Sequence, residues 1–387
     1  MWIFNSPKVV FGDDALEYLE NLSGRRAFFV TDANMVAFGF VARVQQHLAA
    51  AGLESAVFAE VEPNPSLQTV RRAAQQMVEY QPDWIIGLGG GSAMDAAKAA
   101  WLLYENPDAD PAAINPMEEY GLRQKARLIA IPTTSGTGSE ATWATVLTDT
   151  ELQMKLSMGT PELLPDLAIV DSTLVLGLPP RITADTGMDV LTHTVEAYTN
   201  TMRNDFSDGM ALKAVDLVFK YLQQAYTDGS DVEARGHMHN AAAIAGLAFG
   251  NSMLGLAHAM GHSMGAVLHV PHGRSVGLFL PYVVEFTANG GGTRYADIAH
   301  HVRLPAKDEE TGTAALVSAI RDLSASVNFA TRIQDLGIER AAFEEALPKL
   351  VANAEADNQL FFNTRFAESD DLAKLFMCAY EGRSVDW

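Results

Sequence analysis

The sequence predicts two domains, an α/β domain with a parallel sheet at residues 1–179 and an all-helical domain at residues 180–387. Short β-rich runs alternate with helical patterns up to Pro179-Pro180, and such runs nearly stop after that point. A length of 387 residues also suits two domains. Strands that alternate with helices form a parallel sheet with helices on both faces, which defines the fold class of the first domain.

Five short apolar runs predict the buried strands of the first domain. Amphipathic patterns between them predict three helices, and an alternating segment with a polar turn predicts a β-hairpin. The strands are predicted at 26–31, 55–61, 84–88, 127–131 and 167–170, the helices at 35–51, 67–80 and 93–104, and the hairpin at 145–157.

Helical patterns fill the second domain, and Pro271 stands where a further helix is expected to begin. The predicted helices are 184–199, 206–225, 232–249, 252–270, 311–326, 340–353 and 370–380.

The chain is strongly acidic, with 48 acidic against 27 basic residues and a formal net charge of −21. This balance argues against nucleic acid or an anionic membrane as a partner, because both require a basic surface. No apolar run of ~18 residues predicts a membrane span, and the N-terminal segment shows no signal-peptide pattern. The single cysteine, Cys378, cannot form an internal disulfide. We therefore expect a cytoplasmic protein.

A glycine-rich loop, GLGGGS at 87–92, follows a predicted strand and precedes a predicted helix. Free backbone N–H groups at the start of a helix bind phosphate, and glycines let a pyrophosphate approach the backbone. Ser92 replaces the last glycine of the usual dinucleotide motif. It is the predicted N-cap, with Asp95 at the capping-box position. The alternative is a tight turn that only connects strand and helix.

A second loop, PTTSGTGSE at 132–140, follows the next long strand and is rich in hydroxyl groups. In an open parallel sheet, ligands bind at the carboxyl ends of the strands, so both loops are expected at one site. Asp32 also follows a strand. Its carboxylate is predicted either to bind a ribose diol or to cap the next helix.

Two pairs of potential metal ligands show helical i, i+4 spacing, Asp189 with His193 and His258 with His262. The residues around the second pair are small and apolar, so these imidazoles are expected to be buried and to need a partner. One carboxylate with several imidazoles suits zinc or ferrous iron. The alternative is a set of hydrogen-bonded core histidines. No such pattern surrounds six other histidines, at 47, 237, 239, 269, 300 and 301.

Over essentially its whole length, the chain resembles the iron-containing (group III) alcohol dehydrogenases, including the lactaldehyde/1,2-propanediol and 1,3-propanediol oxidoreductases. The motifs that carry this resemblance are Val30-Thr31-Asp32, Pro63-Asn64-Pro65, Gly89-Gly90-Gly91-Ser92 with Asp95 and Lys98, Pro132-Thr133-Thr134-Ser135-Gly136-Thr137, Gly187-Met188-Asp189 with His193 and Glu196, and His258 and His262 with Pro271-His272-Gly273.

The resemblance implies a Rossmann-like dinucleotide-binding domain, an all-α metal-binding domain and a cleft between them. It implies NAD and Fe²⁺ or Zn²⁺ as cofactors, and a homodimer or higher homo-oligomer. The resemblance also implies that His262 is not a metal ligand but lies close to the metal and the nicotinamide. The implied metal ligands are Asp189, His193, His258 and His272, and the implied cofactor contacts are Asp32, Asn64, Gly90, Gly91, Ser92, Asp95, Thr133, Thr134, Thr137 and Lys155.

The chain departs from the family pattern near its C-terminus, where Asn363-Thr364-Arg365 replaces Asn-Pro-Arg and Phe361 and Phe362 replace a region that often holds cysteine. Ala144 and Phe249 fall where relatives line the substrate pocket. With Phe361, they predict an apolar pocket for a small or linear alcohol.

The predicted reaction interconverts a small primary alcohol or diol and its aldehyde, with the hydride carried by NAD. The metal would polarise the alcohol oxygen, and His262 is the predicted proton relay. The first alternative is a carbon–oxygen lyase resembling dehydroquinate synthase. It requires a basic pocket, and the helical half has few Lys or Arg residues near its histidines. The second is a cofactor sensor without catalysis, for which a metal-ligand set has little use.

Overall fold

The computed structural model describes residues 3–151 and 154–387, and the chain divides into two compact units between Leu176 and Gly177. The first unit is α/β and the second is helical, so the predicted fold class is confirmed. Among the described residues, no helix combines the length and the apolar character that crossing a membrane requires.

In the described part of the first unit, six strands form one parallel sheet in the order β1-β8-β5-β4-β2-β3. The remaining two, β6 and β7, form an antiparallel hairpin. The strands are β1 (Lys8–Gly12), β2 (Arg26–Val30), β3 (Glu54–Phe58), β4 (Trp84–Gly89), β5 (Arg127–Pro132), β6 (Ala144–Asp149), β7 (Met154–Gly159) and β8 (Leu167–Asp171), and the helices are α1 (Ala33–Ala37), α2 (Phe40–Ala50), α3 (Leu67–Tyr80) and α4 (Gly91–Glu105).

All five predicted strands of the sheet are present, and so is the hairpin, although residues 152 and 153 of the predicted segment lie outside the described residues. The prediction missed β1, an edge strand whose Phe11 is 68% exposed and whose pattern is not that of a buried strand. The single helix predicted at 35–51 was wrong. It is two helices, α1 and α2, because Gly39 adopts a φ of 78° between them.

Side chains that alternate along the strands place a core on each face of the sheet. Phe28 and Ile85 pack on one face with residues of α3 and α4. Phe29 and Ile86 pack on the other face with residues of α2. The buried strands β4 and β5 therefore lie at the centre of the sheet, and both carboxyl ends meet at the same edge.

The described part of the second unit contains helices and no strand. The sequence indicated where α9 begins but not where it ends, and α9 contains Pro281. The short helix α10 was not predicted. The helices are α5 (Pro180–Thr199), α6 (Asp205–Thr227), α7 (Val232–Phe249), α8 (Leu256–Leu268), α9 (His272–Asn289), α10 (Tyr295–His301), α11 (Glu309–Ser326), α12 (Arg340–Glu355) and α13 (Ser369–Glu381).

Helix α5 lies at the centre of the second unit, and its last thirteen residues are all buried. Three glycines let neighbouring helices approach closely. A Cβ at Gly187 would lie 2.1 Å from Leu222 on α6, one at Gly261 of α8 would lie 2.4 Å from Val276 on α9, and one at Gly273 of α9 would lie 2.3 Å from the carbonyl oxygen of Asp185 on α5. These close contacts fix α5, α8 and α9 against one another.

Candidate metal centre and phosphate-binding loop

Four side chains from three helices converge in the second unit. Asp189 and His193 come from α5, His258 from α8 and His272 from the first position of α9. One potential ligand atom from each residue lies within 4.8 Å of all the others. The distances from Asp189 Oδ1 to the Nε2 atoms of His193, His258 and His272 are 3.7, 3.9 and 3.6 Å. Tetrahedral ligands held ~2.1 Å from a metal lie about 3.4 Å apart, so the spacing fits a metal ion.

The hydrogen bonding of this cluster also fits a cation. Among the described residues, Asp189 Oδ1 and His258 Nε2 are buried and have no hydrogen-bond partner. A buried polar atom left unpaired is costly, and native proteins rarely keep one without a role. The two unpaired atoms lie 3.9 Å apart within the cluster, where a bound metal would satisfy both.

The electrostatics of the cluster agree with its geometry. Burial raises the pKa of Asp189 well above its ordinary value, and the carboxyls of Asp185 and Glu196 raise it further. Burial lowers the pKa of His193 and of His258 well below the usual range, so both imidazoles are neutral and can offer a lone pair to a metal. A bound divalent cation would compensate the charge of the buried Asp189 carboxylate, and this donor set suits Fe²⁺ or Zn²⁺.

His262 lies beside this cluster but not among the converging atoms. Its Nδ1 is 2.8 Å from Asp357 Oδ2, and its ring stacks on His272 with centroids 5.3 Å apart. Burial alone would raise the pKa of Asp357, but its charge interaction and hydrogen bond with His262 lower it overall. Sequence analysis missed Asp357, because it is 95 residues from His262 and carries no local motif.

A second buried carboxylate contacts the cluster from behind. Glu196 Oε2 lies 2.5 Å from His258 Nδ1, and the carboxylate accepts hydrogen bonds from the backbone N–H groups of Gly255 and Ala257. Burial raises the pKa of Glu196 to about 8, and the N–H donors act in the opposite direction. The sequence motif contained Glu196 but did not indicate its contact with His258.

The three residues predicted to line a substrate pocket lie in different surroundings. The ring of Phe249 stacks on His193 with centroids 4.4 Å apart, so it forms one wall of the cluster. Phe361 is 61% exposed and stacks on Phe366. Ala144 begins β6 in the first unit, where its carbonyl oxygen accepts from Lys98 Nζ at 2.9 Å. Their roles in substrate binding stay predictions.

The glycine-rich loop connects β4 to α4, and it packs against the loop that follows β5. Gly89 has a φ of 144°, and a Cβ added there would lie 2.9 Å from Ala93 Cβ. A Cβ added at Gly91 would lie 2.8 Å from Thr137 Cγ2, and one at Gly90 would lie 3.5 Å from Thr134 Oγ1. Glycine is therefore required at 89 and 91, whereas the distance at Gly90 is that of an ordinary van der Waals contact. No side chain of the described residues caps the N-terminus of α4, and free N–H groups at a helix start can bind phosphate.

The predicted capping of α4 was wrong. The helix begins at Gly91 with Gly90 as its N-cap, and Ser92 Oγ instead accepts from the N–H of Asn64 at 3.3 Å. Asp95 forms no capping box, because its two oxygens accept from Ser139 Oγ at 2.7 Å and Val146 N at 2.9 Å. These bonds join α4 to the second loop and to β6. Cofactor binding by Ser92 and Asp95 stays a prediction.

A buried lysine strengthens the same connection. Lys98 Nζ donates to the carbonyl oxygen of Ser139 at 2.8 Å, and to that of Ala144. Burial lowers the pKa of Lys98 to about 8, although Asp95 and Glu140 act to raise it. Burial likewise raises the pKa of Glu140 to about 7. This polar network fixes the second loop against the glycine-rich loop.

Asp32 is the N-cap of α1, and its Oδ1 accepts from Asn34 N at 2.8 Å. Its Oδ2 faces the glycine-rich loop, 3.5 Å from the position of a Cβ built on Gly89. The two sequence alternatives for Asp32 are thus compatible, since one oxygen caps while the other faces the loop. Two further predicted contacts are placed as follows: Thr133 Oγ1 donates to Met35 Sδ at 3.4 Å, and Lys155 lies on β7, where burial lowers its pKa.

Comparison with known proteins identifies the family to which both units belong. The family model described as "Iron-containing alcohol dehydrogenase" matches residues 6–172, and that described as "Fe-containing alcohol dehydrogenase family, C-terminal" matches residues 183–380. The chain is 38% identical over 390 residues to an NADPH-dependent butanol dehydrogenase of Clostridium saccharobutylicum, with 100% of both chains covered.

Longer relatives and a solved structure also match. The chain is 38% identical to aldehyde-alcohol dehydrogenase 2 of Entamoeba histolytica; the match covers 98% of the chain but only 46% of that longer protein. The crystal structure of a 1,3-propanediol oxidoreductase matches with a TM-score of 0.90 and 32% identity, covering 98% of this chain and 100% of that one. These matches favour the dehydrogenase prediction over the lyase alternative. The chain belongs to the iron-containing alcohol dehydrogenase family and is an oxidoreductase of that class.

Proposed function

We propose that the protein interconverts a short linear primary alcohol and its aldehyde, with hydride transfer between the alcohol carbon and NAD. The observation that carries this proposal is the convergence of Asp189 Oδ1 with three imidazole nitrogens at 3.6–3.9 Å in a buried site. Family membership supports the reaction class. The substrate, the nucleotide and the roles of single residues are the new elements of the proposal.

The proposed metal ligands are Asp189, His193, His258 and His272. A bound Fe²⁺ or Zn²⁺ would act as a Lewis acid that lowers the pKa of the alcohol. The protein holds four ligands in place before the metal binds, because close helix packing fixes α5, α8 and α9. His262 is proposed to move the alcohol proton towards solvent. Its bond to Asp357 orients the ring, and its stacking on His272 keeps it beside the site.

The first unit is proposed to hold the dinucleotide. The uncapped start of α4 would bind the pyrophosphate, with Gly90, Gly91 and Ser92 closest to it. Asp32 supports NAD over NADP, since a carboxylate accepts bonds from a ribose diol and repels a 2′-phosphate. The butanol dehydrogenase relative is named as NADPH-dependent, so nucleotide choice must be measured for this chain. The remaining proposed contacts are Asn64, Asp95, Thr133, Thr134, Thr137 and Lys155.

The proposed substrate is a small, unbranched alcohol. The ring of Phe249 stacks on His193 and makes one wall of the metal site apolar, which suits an uncharged substrate. Ala144 and Phe361 are the other residues proposed to contact the substrate. The named substrates of two relatives, butanol and 1,3-propanediol, are short primary alcohols and support this choice.

We also propose a cytoplasmic homodimer or higher homo-oligomer that binds neither nucleic acid nor membranes. The net charge of −21 supports the absence of anionic partners, and a single buried cysteine suits a reducing compartment. Sedimentation velocity on the purified protein would give the oligomeric state, and a monomer at all concentrations would contradict this part.

An anaerobic assay tests the proposed reaction. The metal-free protein is reloaded with Fe²⁺ and mixed with NAD and linear alcohols of increasing length, and NADH is followed by absorbance. We expect NADH to form in proportion to the alcohol consumed, and only after reloading. If no short alcohol yields NADH, and no short aldehyde consumes it, the proposal is wrong.

A further inference from the structure

Glu196 is buried behind the metal-ligand cluster, with only 4% of the residue exposed. It lies on α5, the helix that also carries Asp189 and His193, and it points towards the start of α8. Three groups contact its carboxylate: Gly255 N at 3.1 Å, Ala257 N at 2.6 Å and His258 Nδ1 at 2.5 Å. The described partners of Glu196 are thus all nitrogen atoms at the first turn of one helix.

These contacts answer a need of α8 itself. The first N–H groups of a helix have no partner within it, and a polar N-cap side chain usually supplies one. The N-cap of α8 is Gly255, which has no side chain, so the carboxylate of another helix takes this role. A Cβ at Gly255 would lie 3.1 Å from Glu196 Oε1. Glycine at this position therefore gives the carboxylate close access to the helix start.

The same carboxylate sets the orientation of His258. Metal binding through Nε2 requires the ring proton to be on Nδ1, and the Glu196 carboxylate lies 2.5 Å from Nδ1, where it can accept a hydrogen bond from that proton. The other nitrogen, Nε2, is then unprotonated, and it lies 3.9 Å from Asp189 Oδ1 on the opposite side of the ring. A histidine binds a metal through the nitrogen that lacks a proton, and a carboxylate behind the ring fixes this arrangement.

We propose that Glu196 is a positioning residue for the metal centre: it caps α8 and holds His258 with Nδ1–H on the carboxylate and Nε2 directed at the metal position. The inference rests on the proposed ligand set and adds to it a residue outside that set. Glu196 does not touch the metal or the alcohol. It acts through His258.

Glu196→Gln tests the proposal at constant side-chain size. The carboxylate presents two oxygens to three nitrogen atoms, whereas the amide presents one oxygen and one NH₂ group. The NH₂ group would therefore face at least one backbone N–H, and two donors would meet. We expect metal affinity to fall about 10–100-fold, the usual effect of losing a residue that orients a ligand. The readout is Zn²⁺ binding to the metal-free protein in competition with a chromophoric chelator, which needs no turnover.

Glu285→Gln is the matched control. Glu285 lies on α9, also accepts from a backbone N–H, that of Val385 at 2.9 Å, and pairs with Arg321 at 2.9 Å. It is not part of the metal cluster, so its variant should bind Zn²⁺ like the wild type. If both variants weaken Zn²⁺ binding equally, the effect is a general loss of packing and the proposal is wrong.

A double variant shows whether Glu196 acts through His258. In a His258→Ala background, Glu196→Gln should not weaken Zn²⁺ binding further. An equal additional loss would overturn the proposal, and so would wild-type affinity in Glu196→Gln alone. Full metal affinity in His258→Ala would instead contradict the proposed ligand set. If Glu196→Gln does not fold, Glu196→Asp carries the test, because it keeps the acceptors and shortens their reach. We then expect weaker Zn²⁺ binding in a folded protein, and unchanged binding would overturn the proposal.

Discussion

Replacing His272 with alanine should remove the metal and the activity while leaving the protein folded. The His272 side chain is 30% exposed, so its loss opens no closed cavity in the core. Its Nε2 is one of four converging ligand atoms, 3.6 Å from Asp189 Oδ1. Loss of a residue that merely orients a ligand costs about 10–100-fold in metal affinity, so loss of a ligand should cost at least that. This range corresponds to about 1.4–2.7 kcal/mol of binding free energy.

The assay compares metal content after anaerobic purification, Zn²⁺ affinity by chelator competition and thermal unfolding for the wild type and His272→Ala. His269→Ala is the internal control. His269 is exposed at the C-terminal end of α8 and lies outside the cluster, so this variant should keep its metal. Full metal occupancy in a folded His272→Ala protein would refute the assignment.

Three further predictions concern other parts of the site. His262→Ala should keep its metal and lose turnover on the order of 10²-fold, and adding Asp357→Asn should cost little more; additive losses in the double variant would mean that Asp357 does not act through His262. Asp32→Gly should weaken kcat/KM for NAD modestly and improve it more for NADP, because a like-charge contact is removed; an unchanged ratio would leave Asp32 as a helix cap only. Burial raises the pKa of Glu140 from 4.5 to about 7 in the folded state, so between these pH values the unfolded chain loses the Glu140 proton more readily than the folded protein does. Part of the free energy of unfolding that is present below pH 4.5 is therefore lost as the pH rises to about 7. Glu140→Gln should remove this loss, worth about 3 kcal/mol at most, and a stability difference from the wild type that does not change with pH would contradict the cause.

Local patterns predicted much of the fold. The helix expected at 67–80 is α3 with the same bounds, because its apolar face is regular and Ser66 caps it. The two i, i+4 pairs could be predicted because the spacing of residues in the sequence determines which side chains share a face of one helix. They brought Asp189, His193 and His258 into the prediction, and the family resemblance added His272 to the ligand set.

Contacts between distant segments could not be predicted in this way. Asp357 reaches His262 across 95 residues and Glu196 reaches His258 across 62, and neither pair has a spacing that indicates contact. The prediction of how α4 is capped was wrong for a related reason. Asp95 had the correct local position for a capping box, but Ser139 and Val146 supply its partners from other elements. Tertiary hydrogen bonds outweighed the local motif there.

The most direct test of the central claim is a crystal structure of the protein loaded anaerobically with Fe²⁺, with anomalous diffraction measured at the iron absorption edge. We predict one strong anomalous peak in the helical unit, within ~2.0–2.2 Å of Asp189, His193, His258 and His272. His262 should remain bonded to Asp357 and should not bind the iron. An iron peak at another position would contradict the account. So would an iron ion bound by His262 in place of His272.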